Sequence, residues 1–302
     1  MNHPGELAPL SEMVRPHVAV ITTVAPAHVE FFDSIEQVAD AKAEIFRGMA
    51  GGTAILNRDN DQFARLARAA RACGVERVLS FGADKKAEAR VLKCAMEAHH
   101  SDVTADIDGT RLSYRVGAPG QHWVSNSLAV LAAVGAAGAD LAQAARALAE
   151  LTPPKGRGAR HRVPVPRGEI EVIDDAYNAS PAAMRAAFQT LALATPKDGG
   201  RRVAVLGDML ELGDDAPALH ADLAGSLVEN AIDLVLTAGP NMAHLAKALP
   251  KGMRGAHADD AEQLLPAVLD AVAVGDVVCV KGSLGSRMGQ IVDALVNRAK
   301  AA

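Results

Sequence analysis

Nowhere in its 302 residues does the chain hold G-x-x-x-x-G-K-[ST], the Gly-rich turn whose backbone N–H groups cradle the phosphates of ATP. Cysteine is scarce. Cys73, Cys94 and Cys279 are odd in number and far apart, with no C-x-x-C pair, which argues against a disulfide framework or zinc site and for a reducing compartment. Aromatic residues are 3%, too few for a base-stacking surface. No excess of positive charge exists: 31 Lys and Arg against 36 Asp and Glu give −5, so nucleic acid is not an expected partner. The longest apolar run, Leu128 to Ala139, stops at Asp140, far short of a membrane span. The start MNHPGELAPL lacks a basic stretch followed by an apolar one, so no signal peptide is read there. A cytoplasmic protein without a membrane span is expected.

What is present is 49% hydrophobic, enough for two packed cores, over a length that suggests roughly two domains. Strand-like runs alternate with Ala-rich helical ones, the pattern of a parallel α/β sheet. In the first half, strands are expected at 17–23, 53–57 and 77–82, and helices at 34–49 and 61–73. Residues 91–116 alternate in short runs around Asp108-Gly109, a hairpin dipeptide, and predict a small antiparallel patch. Helices at 122–137 and 140–150 follow. The run TPPKGRGARHRVPVPRG, 152–168, is dense in Pro, Gly and Arg and reads as a linker. Beyond it, strands are expected at 169–174, 202–206, 233–238 and 276–280. Helices are expected at 181–193, 216–230, 241–249, 261–272 and 286–299, a Rossmann-like arrangement.

In open α/β sheets, ligands sit past the carboxyl ends of strands. Five clusters occupy such places. His28 closes TTVAPAH after the first strand, and the next helix carries Lys42 and Glu44. A ring nitrogen there can ligate a metal, although Mg2+ prefers oxygen, and a structural hydrogen bond is the plain alternative. Asn57 opens the turn NRDN, which also suits a helix cap. In GQHWVSN, His122 and Asn126 share one helix face, and an Asn amide can read an adenine edge. VIDDAYNASP delivers Asp174 and Asp175 at a strand end, then a turn with Tyr177 and Asn178, then Pro181 at a helix start; a carboxylate there suits ribose hydroxyls. LGDMLELG and VKGS form the last exits, with Asp208, Lys281 and Ser283 before a helix whose N-terminus favours an anion.

Taken in order, NHPGE, AH…KAEIF, GQHxxxN, DDAYNASP, LGDMLELG and VKGS resemble the Mur ligases over essentially the whole chain. The resemblance is strongest to the branch that joins D-Ala-D-Ala to UDP-MurNAc-tripeptide. It implies an α/β fold: part of a P-loop-type central ATPase domain at 1–158, then a Rossmann-like C-terminal ligase domain at 159–302. It implies ATP and Mg2+ as cofactors, with the two substrates as partners, and a monomer. By motif, His28 would help hold Mg2+ and Lys42 would be the lysine that is carbamylated in relatives, adding an anion to the metal site. Asn126 would meet adenine, Asp175 the ribose, and Arg157 and Asn57 the nucleotide. Asn2, His3, Asp208, Lys281 and Ser283 would fall on the substrate side.

Two positions depart from the family pattern. Trp123 stands where many relatives have Asn, and Ser180 replaces the second Asn of N-A-N-P. The UDP-binding domain, the P-loop and a metal-binding Glu are missing from the sequence, so this chain alone is expected to be inactive. The implied reaction is carboxylate phosphorylation followed by amide formation. Alternatives are a folylpolyglutamate-type or cyanophycin-type ligase, against which GDMLELG and VKGS argue, and a non-catalytic binding fragment.

Overall fold

The computed structural model describes residues 1, 3–25, 32, 34–197 and 199–298. The chain divides into two compact units, Met1–Leu151 and Thr152–Ala302.

The first unit runs α1 (Leu7–Val14), β1 (Val18–Ile21), α2 (Ile35–Ala43) with a 3-10 turn at Glu44–Phe46, β2 (Thr53–Asn57), α3 (Phe63–Ala72) and β3 (Arg77–Gly82). It continues through β4 (Ala89–Met96), β5 (Ser101–Ile107), β6 (Thr110–Val116), α4 (Gln121–Ala136) and α5 (Leu141–Ala147). The strands lie in chain order in one sheet, with β1 to β4 parallel and β4 to β6 antiparallel. Ala54, Ile55 and Leu56 on β2 are all buried, because a parallel strand is covered on both faces. One face packs α2 and α3 through Val38, Phe46, Leu56 and Leu66; the other packs α4 through Ile55, Phe81, Leu128 and Leu131. Asp108 (φ 52°) and Gly109 (φ 85°) make the expected two-residue hairpin turn.

Helix α1 has no sequence expectation behind it. Its N-terminal amides are capped from far along the chain: the N–H groups of Gly5, Leu7 and Ala8 donate to the Glu44 carboxylate at 2.7, 3.2 and 3.2 Å. No local pattern could reveal that. By contrast, α2 opens on Ser34, whose hydroxyl accepts the Gln37 N–H, and α5 on Asp140, whose carboxylate accepts two N–H groups.

The second unit runs β7 (Ala159–Val165), β8 (Gly168–Asp175), α6 (Pro181–Ala192), β9 (Arg202–Gly207), α7 (Ala216–Ala221), α8 (Leu223–Glu229) and β10 (Leu234–Ala238). Then come α9 (Met242–Ala248), β11 (Arg254–Ala258), α10 (Ala261–Ala271), β12 (Val277–Lys281) and α11 (Gly289–Asn297). The sheet order is β11-β10-β9-β12-β8-β7, parallel except for β7. Val172, Val205, Val278 and Val280 pack against α10 and α11 through Leu264, Val268, Ile291 and Leu295.

The four expected strands are here, and two more. Residues 159–165 lie inside the stretch read as a linker, yet they form β7. An edge strand can accept Pro164 and needs only Val163 buried, so it shows no apolar alternation. The other, β11, is the opposite edge, with the weak strand formers RGAHA. The single helix expected at 216–230 is two short ones meeting at Asp222. Among the described residues, no helix is long and apolar enough to cross a membrane.

Candidate functional site

Parallel pairing of β8, β12 and β9 sets Lys281 level with both Asp175 and Leu206, so three polar exits share one end of the sheet. Lys281 is 3% exposed. Its Nζ donates to Asp175 Oδ2 at 2.8 Å and to the Asn178 carbonyl at 2.9 Å. Burial pushes the Asp175 carboxyl above its ordinary range, and Lys281 offsets this only in part. Asp175 Oδ1 makes no hydrogen bond among the described residues.

Asp174 points the other way and fastens a turn. Its carboxylate accepts the N–H groups of Gly156 (2.9 Å) and Ala176 (3.3 Å), while its carbonyl accepts that of Gly158 (2.8 Å). Tyr177 N–H returns to the Gly156 carbonyl, and the Arg157 guanidinium lies 4.3 Å from the Tyr177 ring centroid. Ser180 accepts the Ala183 N–H and caps α6 ahead of Pro181.

Asp208 and Ser283 are occupied within the fold. Asp208 accepts the N–H groups of Met242 (2.8 Å) and Asn241 (3.2 Å), capping α9, and Ser283 Oγ accepts the Leu210 N–H at 3.0 Å. A residue the sequence reading passed over completes this loop. His220 is fully buried; Nε2 accepts the Met209 N–H at 2.9 Å and Nδ1–H donates to the Ala216 carbonyl at 2.6 Å. Those two bonds fix the neutral tautomer, and burial pushes the imidazole pKa down. Its sequence context, ALHAD, carries no signal of this.

In the first unit, Lys42 sits in the last turn of α2, half-buried, and desolvation lowers its pKa. Its amine has no hydrogen bond or ion pair among the described residues. Glu44 joins this helix to the loop that holds His3, and His3 Nδ1 lies 3.2 Å from Glu6. Asn126, on α4, is half-buried and its amide makes no hydrogen bond among the described residues. Asn57 is committed: Nδ2 donates to the Thr22 carbonyl and Oδ1 accepts the Asp59 N–H, both at 2.9 Å. Asp59 in turn accepts the N–H groups of Ala83 and Asp84, so the NRDN turn ties strand ends together. Asn2 and His28 lie outside the described residues. Among those described, no group of three His, Cys, Asp or Glu side chains is placed to hold a metal.

The model of the Mur ligase middle domain matches residues 1–134, and that of the Mur ligase glutamate ligase domain matches residues 160–284. The chain belongs to the Mur ligase family. UDP-N-acetylmuramoyl-tripeptide–D-alanyl-D-alanine ligase of Escherichia coli is 32% identical over 299 residues, covering 97% of this chain and 63% of that protein. The ligase of the same description from Rickettsia prowazekii is 29% identical over 294 residues, 97% of this chain and 64% of its own length. Among solved structures, MurF from Acinetobacter baumannii superposes with a TM-score of 0.85 at 26% identity, over 98% of this chain and 63% of that one. The chain therefore spans less than two thirds of the Mur ligases it matches.

Proposed function

We propose that the chain carries the carbamate lysine and the nucleotide and amine sides of an ATP-dependent ligase that joins D-Ala-D-Ala to UDP-MurNAc-tripeptide. In that reaction the γ-phosphoryl group of ATP passes to the terminal carboxylate of the tripeptide, giving an acyl phosphate and ADP. The free amine of D-Ala-D-Ala attacks the acyl carbon, loses a proton, and phosphate leaves. The residues fit a nucleotide. In the first unit Asn126 offers an amide with no hydrogen bond among the described residues; in the second, Asp175 keeps one carboxylate oxygen outside its bond to Lys281, suited to a ribose hydroxyl. Arg157, stacked on Tyr177, supplies a positive charge beside it. Asp208, Ser283 and His220 hold the loop that faces the amine substrate. The sequence has no phosphate-cradling loop, so that part of the machinery is assigned to the third of its relatives that the chain does not span. The described residues do not by themselves make a magnesium site, and no step here runs through one.

The observation that supports this reading is Lys42. A half-buried amine with no counter-charge among the described residues and with a lowered pKa is neutral over more of the working range, and only the neutral amine reacts with CO2. Joined to the part of the E. coli relative that it does not span, the chain should release ADP only with both substrates present. Lys42→Ala should nearly abolish this, and Lys42→Glu should keep part of it. Bicarbonate should raise the wild type alone. ADP release that ignores D-Ala-D-Ala, or near-normal turnover in Lys42→Ala, overturns the proposal.

A further inference from the structure

A crevice lies on the first unit, beside β3. β3 pairs with β4 at only two positions, Phe81 with Ala89 and Gly82 with Arg90. The start of β3 therefore keeps an open edge, which Glu88 closes by accepting the Ser80 N–H at 2.8 Å and the Ser80 hydroxyl. Between that edge and α3 opens a crevice of about 430 Å3, within the range of small-molecule sites. Ala64, Ala67 and Val78 give it apolar walls.

Three guanidiniums line it: Arg58, Arg68 and Arg71. Arg58 is held in place, 3.4 Å from Asp84 and 4.8 Å from the Phe63 ring centroid. Arg68 and Arg71, one helical turn apart and exposed, make no ion pair among the described residues. Glu88 is the only acid in the lining, and it is engaged by Ser80. With Arg58 paired to Asp84, Arg68 and Arg71 against Glu88 leave a net excess of one positive charge, favourable to a phosphate of about −1.5 to −2. Guanidinium forks suit phosphate oxygens, and the alanines and Phe63 suit an apolar body. The site lies on the α3 face of the sheet, whereas α4 with Asn126 covers the opposite face.

We propose that this crevice binds a small phosphate-bearing organic molecule, on the face of the sheet opposite Asn126. The inference is independent of the ligase reading. Phenyl phosphate is the probe, titrated calorimetrically into the full chain at low salt, with inorganic phosphate in parallel. Saturable binding with Kd below about 1 mM is expected, tighter than inorganic phosphate. The exposed double variant Arg68→Ala/Arg71→Ala should bind about tenfold more weakly or worse, with an unchanged thermal midpoint. No saturable binding up to about 10 mM, or equal affinity in the double variant, overturns the proposal.

Discussion

Replacing Lys281 by Met tests the central ion pair of the second unit. The substitution keeps an unbranched apolar stem but removes both bonds of Nζ, to Asp175 Oδ2 and to the Asn178 carbonyl. Breaking a buried pair from one side costs about 3–5 kcal/mol. Asp175 keeps 22% side-chain exposure, so water recovers part of its charge and about 2–3 kcal/mol is expected at pH 7.5. The loss must depend on pH. Asp175 already has a raised folded-state pKa, and removing Lys281 raises it further. A carboxyl whose folded pKa is raised favours folding while protonated, and loses that advantage as pH rises through the folded value. The variant should therefore be worst at neutral pH and recover towards acid, as Asp175 becomes protonated in the folded state. The residual deficit is the Asn178 carbonyl left without its donor, about 1 kcal/mol. Urea unfolding of wild type, Lys281→Met and Lys281→Met/Asp175→Asn at pH 7.5 and 4.5 measures this. A deficit of the same size at both pH values, unrelieved by Asp175→Asn, would refute an electrostatic role.

His220→Leu should cost about 2–4 kcal/mol by orphaning the Met209 N–H and the Ala216 carbonyl, while His220→Gln, which can still accept, should cost less; chemical denaturation ranks them. Because the folded pKa of His220 is depressed, its contribution is present above the ordinary histidine value and lost as pH falls through the folded one; the Leu variant should lack that acid slope. Gly52→Ala should destabilise the first unit by about 3 kcal/mol or more, since φ is +76° and a Cβ would stand 2.2 Å from the His17 carbonyl oxygen; a loss below about 1 kcal/mol, read by thermal unfolding, contradicts this geometry. Residues 152–302 expressed alone should show a cooperative thermal transition, and a molten product would count against an independent core.

Elements were legible where a local rule governs. β2 and β3 fall where their apolar runs predict, and the Asp108-Gly109 turn and the Ser180-Pro181 helix start follow from backbone preference alone. The edges of the second sheet were not, because β7 and β11 need little burial and show no alternation. Within the clusters, residue type indicated the right strand ends but not the use of each side chain. Asn57 and Asp59 bind backbone groups of neighbouring turns, and Asp208 caps a helix more than thirty residues on. Those partners are set by tertiary packing, as is the burial that makes Lys42 and His220 unusual.

The cap on α1 has a consequence for the order in which the first unit assembles. An eight-residue helix containing Pro9 is too short to persist alone, since nucleation is costly and isolated helices need roughly 12–15 residues. Its missing N-cap arrives only when Glu44 is delivered by the 3-10 turn that follows α2. Helix α1 must therefore form late, as a reporter of whether α2 has docked. Anything that loosens the helix bearing Lys42 should release the His3 loop first, well before the sheet gives way.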